Sequence, residues 1–167
     1  YGSRDGKPGE KAILAAAREG IDILLDERPG APVYLLGESL GTGVAAQIAA
    51  EFRRSVPGVL LVTPFTSLED VGATMAPRPL VRLVLRDRYD VLSALSDYDG
   101  RVGVLLAGAD ELIPPHIGRR VYEQYKGPKR LWIQAEAGHN TLDYTPGLKW
   151  WEEIGRASCR ERVYTKV

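Results

Sequence analysis

Cysteine is almost absent: there is one in 167 residues, Cys159. A single thiol excludes an internal disulfide framework and a cysteine-ligated metal cluster. Charge of one sign is lacking too, with 22 Lys plus Arg against 22 Asp plus Glu and a formal net charge of zero. Nucleic acids and anionic membranes are usually met by a basic surplus, and this chain offers none. The longest uninterrupted apolar run is six residues, 12–17, whereas a membrane-spanning helix needs roughly 18 or more. Gly at 18 and Pro at 11 are too few for a low-complexity or fibrous chain. Histidine is limited to two, so any chemistry that needs an imidazole base has two candidates.

Both ends read as interrupted. Residues 153–163, EIGRASCRERV, resemble the translation of a sequencing-library adaptor more than domain sequence. The domain is therefore expected over residues 1–153, with 154–167 a non-native tail. The tail contains Cys159 together with Arg156, Arg160, Arg162, Lys166 and Glu161, so the remainder carries 18 basic and 21 acidic residues, a net of −3. At the other end Tyr1 follows no initiator Met and no signal peptide can be read. Any localisation signals are expected upstream, and localisation stays unknown.

Periodicity alternates between helices and short apolar strands. Leu14, Ala17, Ile21, Leu24 and Leu25 recur at three- and four-residue steps, which predicts an amphipathic helix over 10–26, closed by Pro29-Gly30. A strand follows at 33–36. After Ser39, a second helix carries Leu40, Val44, Ile48 and Phe52 at steps of four, with Ala45, Ala46 and Ala49 keeping its facing side slim, and ends near Arg53-Arg54. The continuous apolar runs 59–62 and 102–106, and the shorter 131–133, suit strands covered on both faces, as in a parallel sheet. Residues 65–100 are the least regular, with a short helix suggested at 80–85 and Pro77 and Pro79 breaking its approach. Further helices are expected after Pro114-Pro115 and around Leu148, Trp150 and Trp151. There is no internal repeat. The economical architecture is α/β, a doubly wound parallel sheet.

Gly37-Glu38-Ser39-Leu40-Gly41 reads G-x-S-x-G between a strand and a helix. In that setting a serine occupies a strained turn, with Oγ at the strand's C-terminal end and a helix N-terminus behind it, while Gly37 and Gly41 let strand and helix approach. The Leu40 N–H is then placed to hold an oxyanion. The competing reading is a glycine-rich turn with a helix-capping serine. A nucleophilic serine needs a base. His139, in a loop after the strand 131–133, suits that role better than His116, which starts a helix after two prolines. The imidazole in turn needs a carboxylate to fix its tautomer. Asp110, just past the strand 102–106, is preferred, with Glu111 and Asp143 as alternatives. In a parallel sheet all strand C-termini share one edge, and Ser39, Asp110 and His139 all fall there.

The segments GESLGTG (37–43), LLAGADELIPP (105–115) and AGHNTL (137–142) resemble those of the alpha/beta-hydrolase serine hydrolases. The chain order Ser, Asp, His is that family's order. The branch that looks nearest holds abhydrolase-domain proteins and serine-aminopeptidase-like esterases. Residues 1–10 are similar to the loop after that branch's fourth strand, with Arg4 and Gly9 where the family usually has serine. The resemblance implies the C-terminal portion of an alpha/beta-hydrolase fold, about four strands with flanking helices. The first strands and the second oxyanion donor would lie upstream, leaving the strand at 33–36 with one unpaired, association-prone side. It also implies a serine hydrolase acting on a small-molecule ester or related acyl bond, with no metal or organic cofactor. Amide or thioester hydrolysis on the same residues, or a catalytically silent interaction protein, stay open. So does membrane association, since relatives in this branch often carry an N-terminal apolar segment.

Overall fold

A computed structural model of the chain describes residue 7, residues 9–148, and residues 150, 151 and 153. The expected tail and the loop preceding residue 7 lie outside the described residues. Among the described residues four strands form one parallel sheet: β1 (Tyr34–Glu38), β2 (Gly58–Val62), β3 (Arg101–Ala107) and β4 (Lys129–Gln134). They lie in the order β1-β2-β3-β4, with Gly37 opposite Leu61, Leu61 opposite Val104, and Val104 opposite Leu131. The helices among the described residues include α1 (Glu10–Glu27), α2 (Leu40–Glu51), α3 (Leu68–Gly72), α4 (Arg78–Val84), α5 (Val91–Ser96) and α6 (Pro115–Gln124).

The continuous apolar runs become strands with two covered faces. Leu61, Val102, Val104 and Leu106 point into one core with Ala45, Ala46 and Ala49 of α2, Val91 of α5 and Val121 of α6. Their neighbours Leu60, Val62, Leu105 and Ala107 point to the opposite side, where Leu142, Leu148, Trp150 and Trp151 pack on them. Fully buried side chains such as Leu61 and Leu105 each contribute about 1.5–3 kcal/mol relative to exposure. The outer strands are less covered. Among the described residues β1 pairs only with β2, and its Tyr34 and Leu36 are exposed. α1 reaches the sheet through α2, with Leu14 and Ile21 on Ile48.

Most element ends differ from the sequence expectation by one or two residues, and two differences have a clear cause. The strand at 33–36 starts one residue later and continues through Gly37 and Glu38, because β2 supplies partners as far as Val62. The irregular stretch 65–100 holds three short helices rather than one. Ser67 caps α3 by accepting from the Asp70 N–H, and Asp90 caps α5 by accepting from the Ser93 N–H. Pro79 sits in the first turn of α4, a position that costs proline no intrahelical bond.

Candidate active site

Ser39 occupies the junction of β1 and α2 with φ 51 and ψ −121, a left-handed conformation that costs a residue with a Cβ. The junction is held by the Ser39 N–H donating to the Val62 carbonyl at 3.0 Å and the Thr42 N–H donating to the Ser39 carbonyl at 2.9 Å. Gly37 makes the crossing of strand and helix possible. A Cβ there would collide with the Gly41 carbonyl oxygen and stand 2.7 Å from the Ala45 Cβ. Gly41 plays a different part: a Cβ at that position meets nothing within 4 Å. The close approach is made by the Gly41 backbone, and the space is supplied by Gly37.

Ser39 makes no side-chain bond to its own helix, which sets aside the helix-capping reading. Its Oγ lies 2.9 Å from Nε2 of His139, and Nδ1 of the same ring lies 2.8 Å from Oδ2 of Asp110. The other carboxylate oxygen, Oδ1, accepts from the backbone N–H groups of Leu112 and Ile113 at 2.9 and 2.8 Å. Asp110 is thus buried, with two backbone N–H groups on Oδ1 and the His139 ring nitrogen beside Oδ2. With Asp110 accepting from Nδ1–H, Nε2 is left as the acceptor for the Ser39 hydroxyl. Leu40 is the first residue of α2, so its N–H has no intrahelical acceptor and lies at the positive end of the helix dipole.

The alternatives lie elsewhere. His116 is exposed on the first turn of α6, bordering a hollow with Asp70, Arg78 and Arg120. Glu111 is exposed beside Asp110. Asp143 is in the histidine segment but serves that segment's backbone, accepting from the Thr145 N–H at 2.8 Å. The hydrogen bond from the Thr145 hydroxyl holds its carboxyl below the usual carboxylate range. An apolar hollow of about 340 Å³ on the sheet face, lined by Leu36, Leu60, Gly103 and Trp132, includes none of the three residues. Leu40 and Leu112, the residue after Ser39 and the second after Asp110, are exposed by 43% and 54%. Among the described residues no group of His, Cys, Asp and Glu could hold a metal ion, and no helix is long and apolar enough to cross a membrane.

Two further sets of hydrogen bonds join distant segments. The Glu10 carboxylate accepts from the Arg88 and Tyr89 N–H groups at 2.8 and 3.1 Å and from the Gln47 side chain at 2.9 Å. That ties the loop after α4 to α1 and α2. Tyr89 then lies against the glycine face of α2, where a Cβ on Gly43 would come within 2.7 Å of its ring. The Tyr144 hydroxyl donates to Oε1 of Glu38 at 2.9 Å across 106 positions of sequence. These pairs join residues far apart in the chain, which no local pattern announces.

No family model matches the chain. An uncharacterized protein of Mycobacterium tuberculosis is 31% identical over 93% of this chain and 56% of its own length. The alpha/beta hydrolase domain-containing protein WAV2 of Arabidopsis thaliana is 22% identical over 91% of this chain and 55% of its own. The chain therefore spans about half the length of these curated relatives. Among solved structures, the esterase Pf2001 of Pyrococcus furiosus superposes with a TM-score of 0.72 at 17% identity, covering 93% of this chain and 64% of that one.

Proposed function

The chain has the alpha/beta-hydrolase fold, and from that premise we propose that it is a serine hydrolase cleaving an ester bond of a small acyl substrate. The observation that carries the proposal is the continuous relay Ser39 Oγ, His139, Asp110 at 2.9 and 2.8 Å. The esterase activity named for the Pyrococcus furiosus neighbour supports an ester as the bond cleaved.

In the proposed reaction, Ser39 Oγ attacks the acyl carbonyl carbon as its proton passes to Nε2 of His139. The Leu40 N–H donates to the carbonyl oxygen as negative charge develops there. Collapse expels the alcohol, which takes the proton from Nε2, and leaves the acyl group esterified to Ser39. Water, giving its proton to the same nitrogen, then releases the acid and restores the serine. Asp110 keeps the Nδ1 proton in place and stabilises the imidazolium in both halves.

A p-nitrophenyl ester panel with stopped-flow detection tests the reading. A burst of nitrophenol stoichiometric with enzyme, followed by a slower steady state and abolished in Ser39→Ala, is the expected result. Turnover without a burst on any ester, undiminished in Ser39→Ala, would overturn it.

A further inference from the structure

The sheet order places Ser39 and His139 at opposite ends of the described sheet: the serine follows β1 and the histidine follows β4. Three strand spacings of about 4.8 Å separate those ends. The segment 135–145 therefore has to reach back across β3 and β2 to deliver the imidazole. Most of its anchors tie it to its own side. The Gly108 and Ala109 N–H groups donate to the Gln134 and Ala137 carbonyls at 2.8 and 2.9 Å. Gln134 and Asp143 pair reciprocally, at 2.9 and 2.7 Å. The Gly138 N–H donates to the Thr141 hydroxyl at 2.8 Å. Hydrogen bonds that cross to β1 and its turn include that of the Ser39 hydroxyl to His139 and that of the Tyr144 hydroxyl to Glu38.

The first of these is broken by the proposed chemistry. Once Ser39 is acylated its oxygen has no proton to donate, and the histidine loses its link to β1 when it must orient water. The second bond is untouched by acylation. Its donor is held by more than that bond. The Tyr144 ring lies 6.0 Å from that of Trp150 and 6.4 Å from that of Trp151, and the Trp151 indole N–H donates to the Tyr144 carbonyl at 2.9 Å. Trp150 and Trp151 belong to the core beneath the sheet. An ordered phenol pays little additional conformational entropy to make its bond, so even a partly exposed pair can position its neighbours.

Building on the serine-hydrolase reading, we propose that Tyr144 and Glu38 are positioning residues, a clasp between the histidine segment and the nucleophile strand that holds His139 in register during deacylation. Burial, reinforced by the hydrogen bond to Glu38, raises the Tyr144 phenol above its ordinary range, so it remains a donor throughout the neutral and mildly alkaline range.

The test is burst kinetics of the full chain with p-nitrophenyl acetate. Tyr144→Phe removes the donor and keeps the ring. Its steady-state rate is expected to fall about 5–10-fold, the effect of losing one hydrogen bond to a charged group in an exposed setting. The acylation rate should stay within about twofold, so that KM falls with kcat. Glu38→Ala should match it, Glu38→Gln should recover part of the loss by keeping an acceptor, and the Tyr144→Phe/Glu38→Ala double variant should be no slower than either single. A wild-type deacylation rate in Tyr144→Phe, an equal loss in both steps, or equal losses in Glu38→Gln and Glu38→Ala would overturn the clasp. Turnover undiminished in Ser39→Ala refutes the serine-hydrolase reading itself, whereas a normal burst with an unaffected Tyr144→Phe refutes only the clasp.

Discussion

Gly37→Ala places one methyl group at the crossing of β1 and α2. In the present backbone that carbon would overlap the Gly41 carbonyl oxygen and stand 2.7 Å from the Ala45 Cβ and 2.8 Å from the Gly41 carbonyl carbon. Ordinary contact distances of about 3.5–4.0 Å between carbons require the helix to retreat by roughly 1 Å. Neither partner can yield by rotating, since one is backbone and the other a Cβ. Gly37 is paired with Leu61 inside the sheet, so the strand cannot yield alone either. Overpacking of this kind costs about 1–3 kcal/mol, offset by about 0.4–1 kcal/mol from the stiffer unfolded chain. At roughly 2–4 °C per kcal/mol for a domain of this size, the melting temperature should fall by several degrees. A helix that retreats by 1 Å also carries Ser39 out of its 2.9 Å contact with His139, and misplacement on that scale costs about 10²-fold in rate. Gly41→Ala, with nothing within 4 Å of the new carbon, is the control and should melt at or above the wild-type temperature. Thermal melts followed by circular dichroism, together with nitrophenyl ester rates, give both quantities. Equal melting temperatures for Gly37→Ala and the wild type would refute the steric argument, and a Gly41→Ala variant as damaged as Gly37→Ala would refute the asymmetry.

Asp110→Asn should keep the two bonds from Leu112 and Ile113 to Oδ1 while turning an amide toward Nδ1 of His139. The wrong tautomer is then favoured, and kcat should drop by about 10⁴ with little loss of stability; a near-neutral Asp110→Asn with a crippled Glu111→Gln or Asp143→Asn would identify a different acid. Acid should loosen α3 and α4 before the sheet. The Arg82 hydrogen bond, with Arg78 beside it, holds the Glu69 carboxyl below its ordinary range. Burial pushes the Asp70 carboxyl up, but the bonds from Thr66 and Arg78 outweigh burial and hold it low. A carboxylate depressed in the folded state stabilises above its unfolded pKa of about 4 and loses that contribution as pH falls through the lower folded value. Proteolysis within residues 68–84 should therefore accelerate only below about pH 4, and acceleration between pH 5 and 7 would contradict this assignment.

Sheet and site were legible in the sequence to different depths. The runs at 59–62 and 102–106 announced themselves because both faces of β2 and β3 are apolar, with neighbouring side chains entering opposite cores. Strand ends were equally readable, and Ser39, Asp110 and His139 stand within hydrogen-bond distance in the order their strands predict. Gly37 and Gly41 look equivalent in the motif and are not, because the motif records the turn and not which atom crosses which. α3 and α5 went unseen although Ser67 and Asp90 stand three residues before the N–H groups they cap, since helices of five and six residues are too short for a hydrophobic period. The Tyr144–Glu38 and Glu10–Tyr89 bonds left no trace, being products of packing between segments 106 and 79 residues apart.

The central claim is that Ser39 is an activated nucleophile, and the most direct measurement is the site of covalent attachment of a fluorophosphonate probe, mapped by mass spectrometry of proteolytic peptides. The account predicts a single adduct on the peptide containing Ser39, absent from Ser39→Ala and formed at least about 10²-fold more slowly in His139→Ala, where the base is missing. An adduct on another serine, or one that persists in Ser39→Ala, would contradict it.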